Sequence, residues 1–139
     1  LSSAPAIGEV IGKLVQKKYD LKEKTEFIST RTGFSDLGSM TIEERNKMIR
    51  RNPTYGNIIC RCEMVTEGEI IDAIRRPLGA KSLDGVKRRT RAGMGRCQSG
   101  FCSPKVMEIL ARELGKPIEE ITKSGRNSKI IEGINKDTF

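Results

Sequence analysis

The sequence predicts a mainly α fold, and three kinds of local signal lead to that prediction. Apolar residues recur at helical spacing in residues 7–15 and 106–114. Capping boxes at 41–44 and 66–69 mark two helix starts, since hydroxyl and carboxylate each satisfy a free backbone amide there. A serine followed by proline at 103–104 is typical of a third start.

The first half of the chain contains two predicted helices and a linker. The apolar stripe of residues 7–15 predicts an amphipathic helix, which leads into the charged and solvated stretch Lys17–Lys24. Residues 21–40 are rich in serine, threonine, glycine and scattered charge, a composition typical of a linker. The capping box then opens a helix over Thr41–Arg51, and Asn52-Pro53 ends it.

The second half contains an extended segment and three helices. Tyr55–Cys62 lacks helical periodicity, so we expect it to be extended. A helix with an isoleucine face should follow between Thr66 and Pro77, and another between Ser82 and Arg91. Ser103 is the predicted N-cap of a helix that ends at Gly115, with one more turn in residues 117–122.

Composition limits both the core and the chemistry. The 139 residues suit one domain, but only 36% are hydrophobic and 4% aromatic. The core should therefore be small and need a disulfide set or a bound metal to stabilise it. The absence of histidine excludes Ser-His-Asp and Cys-His catalysis, histidine-ligated haem, Rieske centres and zinc fingers with two histidines within this chain. No acid-base pair stands out either, so the four cysteines are the candidates for chemistry.

The sequence also predicts a cellular location. It has no apolar run long enough to span a membrane and no signal-peptide pattern, so we expect a soluble cytoplasmic protein. Cytosolic thiols are kept reduced, which favours metal binding over disulfides. Because the chain begins with Leu1 and not methionine, we expect it to be a piece of a longer protein.

The cysteines form two pairs on separate segments. Cys60 and Cys62 are spaced so that both sulfurs of an extended segment lie on one side, and Cys97 and Cys102 precede a helix start, where free amides favour thiolates. The 34 residues at positions 63 to 96 separate the pairs, which is room for two helices. On ligand count, four thiolates can hold either one zinc ion or a binuclear iron-sulfur cluster.

Spacing and charge favour the [2Fe-2S] cluster over zinc. Structural zinc sites usually use C-x2-C knuckles, whereas gaps of one and four residues spread the sulfurs more widely. The oxidised cluster carries a formal charge of about −2, which nearby cations would offset. Six cations are candidates for this role: Arg61, Lys87, Arg88, Arg89, Arg91 and Arg96.

Two alternatives remain open from the residues alone. A structural zinc module could dock the chain onto a partner. The net charge of +8 and the basic run Lys87–Arg91 also fit a DNA-binding helix-turn-helix, although few aromatics are available for stacking and we expect no nucleic-acid partner.

Two stretches carry a family resemblance. Ile59–Ile70 (ICRCEMVTEGEI) and Gly85–Val106 (GVKRRTRAGMGRCQSGFCSPKV) resemble the bacterioferritin-associated ferredoxin-like, or BFD-like, [2Fe-2S] domain over about Tyr55–Gly115. The resemblance implies a small helix-turn-helix-like, mainly α fold with Cys60, Cys62, Cys97 and Cys102 as cluster ligands. The free-standing ferredoxin has a two-residue gap in its second pair, where this chain has four, so its partner does not transfer directly.

The resemblance is greatest to one branch of that family. The form is similar to the domain at the C-terminus of FAD-dependent glycerol-3-phosphate dehydrogenases of the anaerobic bacterial type. Leu1–Gly8 (LSSAPAIG) also looks like the last flavin-contacting turn of such enzymes, which implies that Ser2, Ser3 and Ala4 contact FAD in the parent enzyme.

This branch implies a function and partners. The chain would relay electrons from FAD, held by the flavin dehydrogenase domain of the same parent chain, to an acceptor protein or quinone. The catalytic site would lie outside this piece, and the protein would be cytoplasmic and peripheral to the inner face of the membrane through its partners.

The resulting domain prediction has four segments. Residues 1–20 would be the remnant of a flavin-domain C-terminal helix, and 21–54 a linker with one helix. Residues 55–123 would be the BFD-like domain, and 124–139 a tail without a structural prediction.

Overall fold

The computed structural model describes residues 1–35, 37–133 and 136. It divides the chain into two compact units, Leu1–Gly33 and the part from Phe34 onward. The described residues contain five α-helices and one small two-stranded sheet, which confirms the prediction of a mainly α fold. Asp36 of the predicted linker and residues 134, 135 and 137–139 of the predicted tail lie outside the described residues.

The first unit contains helix α1, Ala4–Tyr19. It begins with Pro5 in its first turn, where the missing amide costs nothing, and ends as Asp20 adopts a left-handed conformation. The helix extends beyond the predicted apolar stripe of residues 7–15 and includes Lys17 and Lys18. No helix of the described residues is long and apolar enough to cross a membrane.

Helix α2, Ile42–Arg51, starts at the predicted capping box. The Glu44 amide donates to Thr41 Oγ1 at 3.3 Å, and the Thr41 amide donates to the Glu44 carboxylate at 2.8 Å. The helix ends where the Asn52 amide donates to the Met48 carbonyl, just before Pro53.

The extended segment is shorter than predicted. Tyr55 lies in a 3-10 turn, Pro53–Gly56, because the Asn52 side chain accepts from the Thr54 amide and Pro53 fixes its own φ. Only Ile58–Cys60 forms a strand, β1, which pairs antiparallel with β2, Val65–Thr66. The register is irregular between Ile58 and Cys60. Cys62 therefore lies in the turn beyond the strand.

Two helices follow the hairpin. Helix α3, Glu67–Arg75, starts at the predicted capping box of Thr66 and Glu69, and helix α4, Leu83–Thr90, is capped by the Ser82 side chain. The Ser82 Oγ accepts from the Gly85 amide at 3.1 Å. Both helices start at the caps the sequence predicts.

Helix α5, Ser103–Leu114, starts one residue away from the predicted cap. Cys102 and not Ser103 is the N-cap residue, and its side chain makes no capping hydrogen bond. The prediction of Ser103 was wrong because the Ser103 amide already donates to the Ser99 carbonyl, which places Ser103 within the helix. The helix ends at Gly115, and a 3-10 turn at Ile118–Glu120 confirms the further turn that the sequence predicts.

The core lies where α3, α4 and α5 pack on one another. Its most buried side chains come from all three helices and the segment after them, namely Ile70, Val86, Leu110 and Ile121. Cys60 and Cys102 belong to the same hydrophobic cluster. The core therefore fixes one cysteine from each sequence pair.

Candidate metal centre

The four cysteines line a single cavity of about 400 Å³. β1 and the turn after it supply Cys60 and Cys62, and the loop before α5 supplies Cys97 and Cys102. The remaining lining residues are Ile58, Ile59, Arg61, Phe101 and Lys105. Two segments far apart in sequence thus meet around one space lined by sulfur.

Within the cavity the thiols contact one another across the two segments. Cys62 lies within hydrogen-bonding distance of Cys97, and Cys60 of Cys102. Each contacting pair takes one thiol from each segment. The sequence grouped the cysteines by spacing, and the fold regroups them into these two cross-segment pairs.

The two cross-segment pairs differ in exposure. Cys60 is 1% exposed and Cys102 is 3% exposed, whereas Cys62 is exposed and Cys97 half-buried. The difference arises because the strand and the N-cap position lie in the core, while the turn and the loop lie at its edge. One pair therefore faces the protein interior and the other faces the solvent.

Backbone amides act on the outer pair. The Phe101 amide, the nearby Cys62 thiol and the Ser99 and Gly100 amides together lower the pKa of Cys97 below its ordinary value. Hydrogen bonds of this kind favour the thiolate, which is the form that binds metal.

Burial acts on the inner pair in the opposite direction. It raises the pKa of the Cys102 thiol to about 11, and the neighbouring Cys60 adds to the effect. Burial therefore favours the neutral form of the Cys102 thiol.

This donor set fits a two-iron centre. Among the described residues, no three cysteine, aspartate or glutamate side chains converge closely enough on one point to hold a single metal ion. A tetrahedral zinc ion needs four sulfurs at about 2.3 Å from one point. Four cysteine thiols from two segments at one cavity are a donor set that would hold a [2Fe-2S] cluster.

The cations at the cavity differ from those expected. Of the six candidates, Arg61 lines the cavity, whereas Arg88 pairs with Asp84 at 3.9 Å and Arg91 with Glu63 at 2.8 Å. Arg89 donates to the carbonyls of Gly85 and Leu78. Arg88, Arg89 and Arg91 thus form contacts within helix α4 or with neighbouring segments and do not line the cavity.

Sequence reasoning missed two lining residues. Lys105 lies in the first turn of α5, three residues after Cys102, and the large apolar Phe101 directly precedes Cys102. The sequence offered a signal for each residue. A helical i+3 step places Lys105 near Cys102. Phe101 is a large aromatic residue directly beside a predicted ligand.

The predicted flavin-contacting residues lie in the first unit. Ser2 lies in a turn, Ser3 is the N-cap residue of α1 without a side-chain hydrogen bond, and Ala4 is the first residue of the helix. All three are exposed. Their contact with FAD stays a prediction.

Comparison with known proteins places the cysteines in a known kind of domain. Residues 58–112 match the model of the BFD-like [2Fe-2S] binding domain, and all four cysteines fall within that range. No solved structure matches the chain.

Three relatives indicate the kind of protein in which such a domain occurs. A glycerol 3-phosphate dehydrogenase of Caloramator mitchellensis is 48% identical over 137 residues, covering 98% of this chain and 28% of the relative. The hydrogen cyanide synthase protein HcnB of Pseudomonas aeruginosa is 44% identical over 59 residues, which are 42% of this chain and 12% of that protein. The matching polypeptide of the anaerobic glycerol-3-phosphate dehydrogenase of Escherichia coli is 41% identical over 58 residues, with 42% and 10% covered. The chain therefore spans less than a third of the length of each of these relatives.

Proposed function

We propose, from the membership of residues 58–112 in the BFD-like [2Fe-2S] binding family, that this chain is the electron-transfer part of a flavoprotein dehydrogenase. Cys60, Cys62, Cys97 and Cys102 would hold the cluster. The observation that carries the proposal is that these four thiols line one cavity as two contacting pairs. A bound [2Fe-2S] cluster would supply one-electron transfer.

The residues around the cavity have separate tasks in this proposal. Burial of Cys60 and Cys102 keeps water from the inner side, and the amides of Ser99, Gly100 and Phe101 stabilise negative charge on the Cys97 sulfur. Arg61 and Lys105 place positive charge at the same cavity. Together these groups would tune the reduction potential.

The parent enzyme is the finer part of the proposal. Similarity to the Caloramator glycerol 3-phosphate dehydrogenase extends over 98% of this chain, including residues 1–33 outside the BFD-like domain. We therefore propose that the parent oxidises glycerol 3-phosphate through FAD, with Ser2, Ser3 and Ala4 near the flavin. This chain would pass the electrons one at a time to an acceptor protein or quinone.

Metal analysis tests the cofactor. Anaerobic purification should yield about two irons and two labile sulfides per chain, with charge-transfer bands in the visible that weaken on reduction. A colourless chain without iron or sulfide, even after reconstitution, would overturn the electron-transfer function. Stoichiometric zinc in that colourless chain would support a structural docking module instead.

A variant of the full-length parent enzyme tests the relay. Cys97→Ser should leave flavin reduction by substrate intact and slow electron delivery to the acceptor. Ser103→Ala is the control, since Ser103 adjoins Cys102 but does not line the cysteine cavity. Loss of flavin reduction in Cys97→Ser would contradict a relay downstream of the flavin.

A further inference from the structure

The exposed edge of the cysteine cavity contains residues other than the four cysteines that would hold the cluster. We define the cysteine rim as Ile58, Arg61, Phe101 and Lys105, all of which line that cavity. We propose that the cysteine rim docks an acidic one-electron carrier protein, with apolar residues meeting Phe101 and carboxylates meeting Arg61 and Lys105. This inference rests on the proposed electron-transfer function.

The apolar part of the cysteine rim is unusually open. Phe101, which directly precedes Cys102, is 85% exposed, and Ile58 is 40% exposed. Exposed aromatic side chains are typical anchors of protein interfaces, since they gain most when a partner removes them from water. Phe101 is therefore placed to anchor a partner directly beside the cysteines.

The charged part of the cysteine rim has no ion-pair partner among the residues that the structure describes. Neither Arg61 nor Lys105 forms an ion pair with a carboxylate among the described residues. No aspartate or glutamate lines the cavity. By contrast, Arg91 and Arg112 each bind a glutamate at 2.8 Å or less. The two rim cations thus present their charge to solvent, where it attracts carboxylates of a partner.

The position of the cysteine rim suits electron exit. The outer thiols, Cys62 and Cys97, are the ones that reach the surface, and the Phe101 amide donates to Cys97. A protein seated on Phe101 would therefore approach the outer pair and not the buried one. In the transfer, the reduced centre loses one electron, the oxidised partner gains it, and no bond forms or breaks.

A pair of probe proteins with the same haem and opposite charge tests the inference. The chain with its reconstituted cluster is reduced and mixed in a stopped-flow instrument with native cytochrome c, which is basic, or with succinylated cytochrome c, which is acidic. We expect the acidic form to be reduced about tenfold faster at low ionic strength, with the difference disappearing at high salt.

Variants of the cysteine rim sharpen the test. Arg61→Glu with Lys105→Glu should abolish or reverse the preference for the acidic probe. Lys116→Glu with Lys81→Glu is the matched control, since it makes the same change in net charge at exposed lysines that do not line the cavity, and it should keep the preference. Phe101→Ala should slow the reaction with the acidic probe at high salt as well.

Three outcomes of the rate measurements would overturn the docking surface. They are equal rates for the two probes, a faster reaction with the basic probe, or a loss of preference in the control variant equal to that in the rim variant. A further contradicting result is a rim variant that shifts the reduction potential and changes both rates alike, which would confine Arg61 and Lys105 to offsetting cluster charge. Visible absorbance per chain is measured first, so failure to bind the cluster is distinguished from failure to dock a partner.

Discussion

Gly95 packs directly against Cys62, so closely that a Cβ at position 95 would overlap the Cβ of Cys62. The contact brings together the two cysteine-bearing segments, one before α3 and one before α5. A glycine is required here because any side chain would push these segments apart. The relationship makes position 95 a test of how the cavity is closed.

Gly95→Ala should therefore weaken cluster binding more than it weakens the fold. Displacement of Cys62 should lower affinity for the cluster by about tenfold or more, and overpacking should cost about 1–3 kcal/mol. Iron per chain after gel filtration and the thermal midpoint measure the two effects. Gly133→Ala is the control, since nothing lies within 4 Å of a Cβ at position 133. Full iron content in Gly95→Ala would show that the contact is dispensable.

Two capping boxes with the same local geometry offer a matched comparison. In each, the threonine amide donates to the glutamate at 2.8 Å and the glutamate amide donates to the threonine at 3.3 Å. Thr66 is buried and begins a helix of the core, whereas α2, which follows Thr41, buries none of its residues. Thr66→Ala should thus reduce the free energy of unfolding by about 2 kcal/mol and Thr41→Ala by about 0.5 kcal/mol or less. Urea denaturation measures both, and equal losses would contradict the role of burial.

The Tyr55 hydroxyl should make the free energy of unfolding depend on pH in the alkaline range. Tyr55 donates its hydroxyl to the Asp72 carboxylate, and burial, with that bond, raises the pKa of Tyr55 to about 12. Because the folded pKa exceeds the unfolded value of about 10, this stabilisation is complete below pH 10 and is lost as pH rises toward 12.

Tyr55→Phe checks that expectation. The free energy of unfolding of the variant should be lower than that of the unsubstituted chain by about 1.5 kcal/mol at pH 8. This difference should shrink between pH 10 and 12. Urea denaturation at several pH values gives the curve, and Tyr19→Phe, an exchange at an exposed residue of α1, is the control. A difference that grows with pH would mean that the hydroxyl is not a donor to Asp72.

An ion pair joins α3 to α5. The Arg112 guanidinium lies 2.6 Å from Glu67, and this contact, with a bond from Asn57, lowers the pKa of the Glu67 carboxyl. Because the folded pKa is depressed, the stabilisation is present above the ordinary glutamate pKa and is lost as pH falls through the folded value.

A double-mutant cycle of Glu67→Gln and Arg112→Gln measures this pair. The coupling should be about 0.5 kcal/mol at low salt and pH 7, and should fall with added salt because both groups are partly exposed. The longer pair of Arg88 and Asp84, at 3.9 Å, is the comparison and should give less coupling. A coupling that shows no decrease as the pH is lowered from 7 would contradict an ionic interaction.

Local signals were sufficient to predict most helices. Thr41 with Glu44, Thr66 with Glu69, and Ser82 each act within a few residues of their own position, so the sequence alone places those helix starts. The start of α5 was displaced by one residue because the Ser103 amide finds the Ser99 carbonyl, a partner that no capping pattern reveals. Tyr55 was wrongly placed in the extended segment for a similar reason, since the Asn52 side chain starts a turn there.

The arrangement of the cysteines depended on tertiary packing. Spacing predicted that four cysteines share one site, and they do line one cavity. Which thiols contact one another depends on how α3 and α5 pack, since that packing brings Cys60 to Cys102. The same packing directs Arg91 to Glu63 and leaves Arg61 and Lys105 at the cavity. The order of basic residues in the sequence does not show which of them will lie there.

The cross-segment pairing of thiols has a consequence for the order of assembly. Because the four proposed ligands lie on either side of α3 and α4, neither segment alone can offer more than two of them. During synthesis, the full set of four proposed ligands is therefore present only once Cys102, which follows α3 and α4 in the chain, has been made.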